Sequence, residues 1–169
     1  MTRLLLTMLL VLTLAGCGFH PRGALPLAPP LHYLYLRSSD PYGDLSRNLK
    51  KTLEYQGVHF TYCANRANVV LEIISESTND QLLSVSASQQ TRQYNLTLTV
   101  IFQLTTPSGL VLVPPQTVTE IRTMPIQSNQ ILAGSNEATI LYHQMRFAII
   151  DDIINILTSP AVNYHVTHP

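Results

Sequence analysis

The longest regular pattern in the chain is an alternation of apolar and polar side chains over residues 94–105. One set of alternate positions is apolar and the set between them is mostly polar: Tyr94, Leu96, Leu98, Val100, Phe102 and Leu104 against Asn95, Thr97, Thr99, Ile101, Gln103 and Thr105. A period of two is that of a β-strand, whereas a helix distributes such residues around its circumference. The pattern therefore predicts a long strand with one buried face.

Shorter patterns predict three more strands. Residues 32–37 alternate and are rich in aromatic and aliphatic side chains, and residues 69–76 have one apolar face. A return strand begins at Leu110, is interrupted by Pro114-Pro115 and resumes over residues 118–124. Because proline donates no hydrogen bond to a neighbouring strand, this pair favours an edge position or a bulge.

A first amphipathic helix is predicted after residues 32–37. An apolar residue recurs at every fourth position and makes one buried stripe: Leu45, Leu49 and Leu53. Asp40 is placed to cap the start of this helix, with Pro41 near its first position. Gly57 is placed to end it in a left-handed conformation, and residues 58–62 are predicted only as a short extended segment.

A second, longer helix is predicted from Ser135, as its cap, to about Thr158, where Ser159-Pro160 stops it. Its apolar arc is wider than one contact with a sheet requires: Leu141, Met145, Ala148, Ile149, Ile153 and Ile156, widened by Phe147, Ile150, Ile154 and Leu157. We therefore expect this helix to have a second buried face.

The order of these elements, β-α-β-β-β-α, predicts an α/β (α+β) fold. The first two strands and the helix between them favour a right-handed parallel crossover, and the later strands favour an antiparallel meander. The predicted architecture is a two-layer sandwich, with two helices packed on one face of a four-stranded mixed sheet.

The first residues have the features of a bacterial lipoprotein signal. Arg3 precedes an apolar stretch over residues 4–14, which is too short to cross a bilayer. The four residues that end at Cys17, LAGC, resemble a lipobox, in which the cysteine is acylated and the preceding peptide is removed. Several acyl chains, palmitate among them, hold a protein stably on a membrane. Gly18, where an aspartate commonly means retention in the inner membrane, makes the periplasmic side of the outer membrane the expected location.

The chain of 169 residues is long enough for one domain with its own core. We expect residues 1–16 to be a removed signal peptide and residues 17–31 to be a lipidated cysteine with a proline-rich tether. Residues 32–160 then form the domain, and residues 161–169 form a short C-terminal tail.

The chain is neutral and poor in charge. It has 10 basic and 10 acidic side chains, and 12% of its residues are charged against a typical ~25%. Neutrality argues against a general binder of nucleic acids or of acidic membranes. Because the cores of protein interfaces are depleted in Lys, Glu and Asp, the low charge predicts that a partner covers much of the domain.

The sequence contains no recognisable catalytic or metal-binding motif. Its six histidines form no HExxH pattern, Cys63 has no CxxC mate, and neither GxSxG nor a phosphate-binding loop occurs. Asp151 and Asp152 are adjacent, so on a helix they point about 100° apart. We predict that the protein is not an enzyme and holds no metal or cofactor. Cys63, which is left alone once Cys17 is acylated, is expected to be buried and inert, or else paired with another chain.

Five basic side chains are candidates for binding an anionic lipid headgroup such as that of lipopolysaccharide: Arg47, Lys50, Lys51, Arg92 and Arg122. Guanidinium groups bind phosphate oxygens two at a time, which suits such a headgroup. For each residue the alternative is a solvated charge or a salt bridge.

Four stretches, in order, resemble the LptE family of lipopolysaccharide-assembly lipoproteins: "LAGCGFHPRG", "LRSSDPYGDLSRNLKKTLEYQGV", "SASQQTRQYNLTLTVIFQL" and "ILAGSNEATILYHQM". The family pattern after the lipid-bearing cysteine and the pattern that opens the first helix are both matched: Gly18, Phe19, His20 and Arg22, then Asp40, Pro41, Gly43, Leu45, Ser46 and Arg47. The resemblance covers nearly the whole chain.

The resemblance implies a non-enzymatic subunit that inserts as a plug in the lumen of an LptD-like β-barrel protein. There it would assist barrel assembly and the delivery of lipopolysaccharide to the outer leaflet, and it would bind lipopolysaccharide itself. Family members can carry basic residues in the turn before the long strand and in the loop before the last helix, where this chain has Ala87 and Gly134. The alternative function is a monomeric periplasmic lipoprotein that binds or shuttles anionic lipid without a barrel partner.

Overall fold

A computed structural model describes residues 27–86, 91–127 and 131–168. Within these residues five strands form one sheet: β1 (Tyr33–Ser38), β2 (His59–Phe60), β3 (Val69–Val85), β4 (Thr91–Thr105) and β5 (Val111–Gln127). Three α-helices accompany them: α1 (Asp44–Tyr55), α2 (Ile131–Leu157) and α3 (Pro160–Thr167). The predicted signal peptide, Cys17 and Ala87 lie outside the described residues.

The sheet is mixed, as predicted, with the strand order β2-β1-β3-β4-β5. β1 runs parallel to both β2 and β3, while β3, β4 and β5 form an antiparallel meander. The predicted count of four strands is wrong because residues 58–62 contribute β2, an edge strand of two residues. So short a strand leaves no periodic pattern in a sequence.

The predicted count of two helices is also wrong, because residues 160–167 form α3. Ser159 caps this helix by accepting a hydrogen bond from the backbone N–H of Val162 at 3.3 Å, and Pro160 occupies its first turn. Val162 and Val166 are buried against the core. The backbone N–H of Ala28 donates to Asn163 Oδ1 at 3.1 Å, which joins the beginning of the described chain to α3.

The core lies between one face of the sheet and the helices, as the alternation predicts. The inward positions of β4 are at most 1% exposed, and so are the three leucines of α1: Leu96, Leu98, Val100, Phe102 and Leu104, with Leu45, Leu49 and Leu53. Met145, Ile149 and Ile153 of α2 complete this layer, and all three are fully buried. Ile154 and Leu157 are also buried, so much of the wide apolar arc of α2 is covered, although Phe147 remains 43% exposed.

The predicted starts of the two long helices are wrong. α1 begins at Asp44 with Gly43 as its cap residue, and Asp40 instead belongs to the preceding turn. The Asp40 carbonyl oxygen accepts hydrogen bonds from the Gly43 N–H at 3.3 Å and the Ser46 hydroxyl at 2.7 Å. A Cβ atom at Gly43 would lie 2.6 Å from Asp40 Oδ2, so a larger residue there would displace the Asp40 side chain. α2 begins at Ile131, which places Ser135 inside the helix.

The ends of the elements agree better with the sequence. Gly57 follows α1 with a φ of +88°, the left-handed conformation that was predicted for it. α2 ends at Leu157, one residue before the predicted end. The pair Pro114-Pro115 lies in the edge strand β5, and the pairing register shifts there between Phe102 and Leu104 of β4. Both expectations for the proline pair are therefore confirmed.

β3 continues nine residues beyond its predicted end, to Val85. Along this extension it pairs only with β4, so β3, β4 and β5 project as a three-stranded ribbon past β1.

No helix among the described residues is both long and apolar enough to cross a membrane.

Candidate partner-binding and lipid-binding surfaces

The face of the ribbon opposite the helices is polar, uncharged and uncovered; we call it the open face. Four rows of three residues, one residue from each of β3, β4 and β5, define it: Gln81, Asn95 and Thr123; Asn79, Thr97 and Ile121; Ser77, Thr99 and Thr119; Ser75, Ile101 and Thr117. None of the twelve is buried, and none carries a charge. This area is large and neutral, and it has hydrogen-bonding side chains in every row.

Hydrogen bonds between strands order this surface. The hydroxyl oxygens of Thr99 and Thr119 lie 3.2 Å apart, and Thr123 donates to Asn95 Oδ1 at 3.0 Å. Such cross-strand pairs each contribute about 0.2–1 kcal/mol to a sheet. The open face is therefore a preformed surface.

The charges that border the open face are paired. At the end of the open face next to β1, Glu72 accepts a hydrogen bond from Gln103 Nε2 at 2.7 Å and lies 3.5 Å from Arg37 Nη1. The open face itself therefore presents no unpaired charge to a partner.

On the other side of the sheet, polar contacts with Glu76 and Asp80 fix α2 to β3. Arg146 Nε donates to Glu76 Oε1 at 2.7 Å, with both side chains about a quarter exposed. One turn away, the Tyr142 hydroxyl donates to a carboxylate oxygen of Asp80. Burial, and then this hydrogen bond, raise the pKa of Tyr142 well above the usual 10.0. These two contacts hold the middle of α2 against the ribbon.

Arg92 lies at the tip of the ribbon, beside apolar side chains. Its register partners are Val85 on β3 and Ile126 on β5, and Leu82 and Leu83 nearby are about half exposed. No described carboxylate forms an ion pair with Arg92. The Arg92 guanidinium can therefore bind an anionic group, and the exposed apolar side chains beside it can contact the apolar part of the same ligand.

Arg122 has a different environment, because Glu120 accepts from its Nη2 at 2.7 Å. Arg122 is the register partner of Leu96, four residues along β4 from Arg92. At ~3.3 Å per residue the two arginines are about 13 Å apart along the strands, too far to share one phosphate group. The structure thus supports Arg92 as an available cation more strongly than Arg122.

The other three candidate cations lie on α1, away from the tip. Arg47 pairs with Asp44, and this hydrogen bond holds the pKa of Asp44 below its usual value. Lys50 Nζ lies 5.6 Å from the ring centre of Phe60 and 5.9 Å from that of Tyr62, and Lys51 Nζ lies 6.0 Å from that of Tyr55. We call Lys50, Lys51, Tyr55, Phe60 and Tyr62 the edge patch, because it flanks the edge strand β2. The five predicted cations therefore do not converge on one site.

The exposed rings of the edge patch and the β3 part of the open face were not predicted from the sequence. A tyrosine at a helix end or in a loop is unremarkable in a sequence, and the polar run of residues 77–81 does not resemble a strand. Only the pairing of β3 with β4 makes these residues part of a surface.

An open groove of about 730 Å³ runs between β5, α2 and α3, with Gln116, Asp152, Asn155 and His165 among its lining residues. Asp151 and Asp152 are exposed. No group of three or more His, Cys, Asp or Glu side chains in the described part of the chain is arranged to hold a metal ion.

The prediction that Cys63 is buried is wrong. Cys63 lies in the turn that follows Tyr62 and is exposed, without a disulfide to any described residue. The turn places its side chain outside the core because the neighbouring backbone, at Thr61, pairs with Leu34 of β1.

Comparisons with known proteins identify relatives along most of the chain. The LptE family model, described as lipopolysaccharide-assembly, matches residues 31–157. The LPS-assembly lipoprotein LptE of Yersinia enterocolitica is 35% identical over 144 residues, which cover 85% of this chain and 69% of that protein. The LPS-assembly lipoprotein LptE of Pectobacterium atrosepticum is 34% identical over 139 residues, which cover 82% of this chain and 74% of that protein.

Solved structures show the same fold. The crystal structure of the rare lipoprotein B from Shewanella oneidensis superposes with a TM-score of 0.67 at 28% identity, covering 78% of this chain and 98% of that one. The solution structure of lipoprotein B from Nitrosomonas europaea gives a TM-score of 0.70 at 21% identity, covering 88% and 97%.

The relatives named above are assembly lipoproteins, and none of those names describes a catalyst. This agrees with the prediction of a non-enzymatic protein. The family model covers well over half of the chain, and the relatives exceed 30% identity over more than two thirds of it. The chain belongs to the LptE family of lipopolysaccharide-assembly lipoproteins.

Proposed function

We propose that this chain is an outer-membrane lipoprotein, anchored through Cys17 on the periplasmic side, that plugs the lumen of an LptD-like β-barrel. In this role it assists the assembly of the barrel and takes part in delivering lipopolysaccharide to the outer leaflet. Family membership supports the assembly role. The observation that carries the plug is the open face.

The chemistry of the open face suits the lumen of a barrel. Its serine, threonine, asparagine and glutamine side chains can donate and accept hydrogen bonds, and the interior of a membrane β-barrel is largely polar. A buried charge that lacks a partner costs several kcal/mol at an interface, and the open face has no charge to bury. The polar wall of a barrel can therefore enclose the open face with little loss of free energy.

A second activity, binding lipopolysaccharide, is supported at the tip. Arg92 has no described carboxylate partner, and Leu82 and Val85 beside it are 48% and 45% exposed. A guanidinium binds a phosphate and the apolar groups contact acyl chains, so the tip fits an anionic glycolipid. The same features would serve the alternative, a monomeric lipid carrier without a barrel.

Photo-crosslinking in intact cells separates the plug from the carrier. A photoreactive amino acid at Thr99, on the open face, is expected to capture an LptD-like barrel identified by mass spectrometry. The same group at Ser108, in the exposed turn between β4 and β5, is the matched control. If Thr99 captures only lipid or nothing, while the lipoprotein is present in the outer membrane, the plug is wrong and the carrier is favoured.

A further inference from the structure

We propose that the edge patch rests on the headgroups of the membrane leaflet that holds the acyl chains of Cys17. Its partner is an anionic phospholipid surface. This inference rests on the lipid anchor in the proposed function, but it does not depend on the barrel. It assigns a role to a surface remote from both the open face and the tip.

Unpaired positive charge is concentrated around the edge patch. Four described basic side chains form no ion pair with a described carboxylate: Lys50, Lys51, Arg66 and Arg92. Three of them lie in the short segment between the middle of α1 and the start of β3. Between residues 50 and 68 the only carboxylate is Glu54, against three basic residues. This segment therefore carries a net charge of +2 in a chain that is neutral as a whole.

The tyrosine rings of the edge patch are exposed. Tyr62 is 95% exposed and Tyr55 is 79% exposed, so the fold gains little from burying either ring. Tyrosine is enriched at membrane–water interfaces, where its ring meets apolar groups and its hydroxyl meets water. The Lys50 ammonium lies 5.6 Å and 5.9 Å from the ring centres of Phe60 and Tyr62, so the positive charge and the aromatic rings face the same surface. Lysine at a sheet edge also discourages aggregation, but that role does not require exposed tyrosines.

A short tether separates the domain from the proposed anchor at Cys17. The described chain begins at Leu27, ten residues after Cys17, and even a fully extended tether spans at most about 36 Å. The chain then reaches β1 through residues 29–32, where a ring nitrogen of His32 lies 3.4 Å from the Gly57 carbonyl oxygen. Gly57 connects α1 to β2, so the chain passes beside the edge patch five residues after the described part begins at α3. The anchor thus keeps this patch near a lipid surface.

Because the chain contains no tryptophan, one introduced tryptophan reports on one surface. The acylated full-length mature protein would carry Tyr62→Trp and be reconstituted in vesicles of phosphatidylcholine with phosphatidylglycerol. We expect its emission to shift to shorter wavelength and to be quenched by brominated lipid. The control is Thr119→Trp on the open face, whose emission should remain that of an indole in water until a barrel partner is added.

Charge neutralisation tests the electrostatic part. In the Tyr62→Trp protein, Lys50→Gln with Lys51→Gln should lower the ratio of docked to undocked indole by about tenfold or more, because each lysine near an anionic surface strengthens binding severalfold. Arg37→Gln with Arg146→Gln removes the same charge outside both the edge patch and the tip, and should leave the emission of the introduced tryptophan unchanged. Thermal melts confirm that each variant is folded. Tyr55→Ser in the same Tyr62→Trp protein, at a 79% exposed position of the edge patch, gives a second loss-of-docking variant.

Two results would overturn the inference. One is an emission from the Tyr62→Trp protein that stays water-like, or is equally quenched without phosphatidylglycerol, when its mass shows the acyl chains. The other is protection of this indole only after the barrel partner is added, which would make the patch a protein interface. A mature protein whose mass lacks the acyl chains would contradict the anchor. An emission of the Thr119→Trp protein that does not change when the barrel is added would contradict the plug. Failures of the inference and of the proposed function are therefore distinguishable.

Discussion

Thr99 of β4 and Thr119 of β5 lie opposite each other at the centre of the open face, with their hydroxyl oxygens 3.2 Å apart. Both side chains point away from the helices and neither is buried. A pair of neutral hydroxyl groups at the middle of an uncharged surface is a sensitive position for a test of what covers that surface.

Thr99→Glu is expected to leave the domain folded, since the site is open to water in the isolated chain. In the complex the carboxylate would be enclosed without a partner, so recovery of the barrel should fall by about tenfold or more. The measurement is the amount of barrel protein that is recovered with the lipoprotein. Thr99→Val, which removes the hydrogen bond but adds no charge, is the matched control and should keep most of the barrel. Equal recovery with Thr99→Glu and Thr99→Val would show that the partner does not cover this face.

The contact between Arg146 and Glu76 should be measurable as a coupling energy. Their side chains are 22% and 28% exposed, so solvent screens this pair less than a surface pair. A double-mutant cycle with Arg146→Met and Glu76→Gln is expected to give about 1 kcal/mol in urea unfolding. The more exposed pair of Arg47 and Asp44, at 65% and 46%, should give a smaller value. A coupling at the inner pair no larger than at the outer pair would mean that α2 is not fixed to β3 in this way.

The raised pKa of Tyr142 gives the stability a defined dependence on pH. The neutral phenol is favoured by the fold, so its contribution is fully present below the unfolded value of 10.0 and is lost as the pH rises above it. Tyr142→Phe cannot ionise, and its free energy of unfolding should therefore decline less between about pH 9 and pH 11 than that of the unmodified chain. Tyr164→Phe, at a 63% exposed position, is the control and should follow the unmodified chain. Parallel curves for the chain and Tyr142→Phe would contradict this assignment.

α3 is expected to be part of the folded domain. Val162 and Val166 are each 5% exposed, and truncation of either to alanine removes two methyl groups from the core. Each change should lower the free energy of unfolding by about 1.5 kcal/mol, whereas Tyr164→Ala on the exposed side should change it by less than about 0.5 kcal/mol. If all three substitutions changed the free energy of unfolding in urea equally, α3 would not be packed into the core of the domain.

Much of the fold was predictable because strong periodic patterns coincide with burial. The alternation over residues 94–105 identified the inward and outward faces of β4, and the three leucines of α1 are all buried as their spacing predicts. The proline pair of β5 was located correctly because the missing N–H excludes a central strand. These features depend on local chemistry that the sequence displays directly.

Features that depend on distant partners were missed. The extension of β3 over residues 77–85 has few strand-forming side chains, and it is a strand because β4 pairs with it. Asp40 has the chemistry of a cap, but the Ser46 hydroxyl binds its carbonyl and keeps it in the turn before α1. Residues 160–167 have a weak amphipathic pattern and become a helix where the beginning of the described chain and α2 pack against them.

The candidate site was the least predictable part. Residue type selected five cations, but only the structure separates Arg92, which has no described carboxylate partner, from Arg122 and Arg47, which have one each. The open face could be anticipated on β4 alone, from its row of threonines. The width of the face follows from the register with β3 and β5, which no local pattern encodes.

The most direct test of the central claim is extraction of the acylated full-length chain from outer membranes in mild detergent, followed by size-exclusion chromatography and mass spectrometry. The account predicts that the lipoprotein elutes in a stoichiometric complex with one large β-barrel protein of the LptD type. A lipoprotein that is acylated, folded and present in the outer membrane, yet always elutes alone, would contradict it.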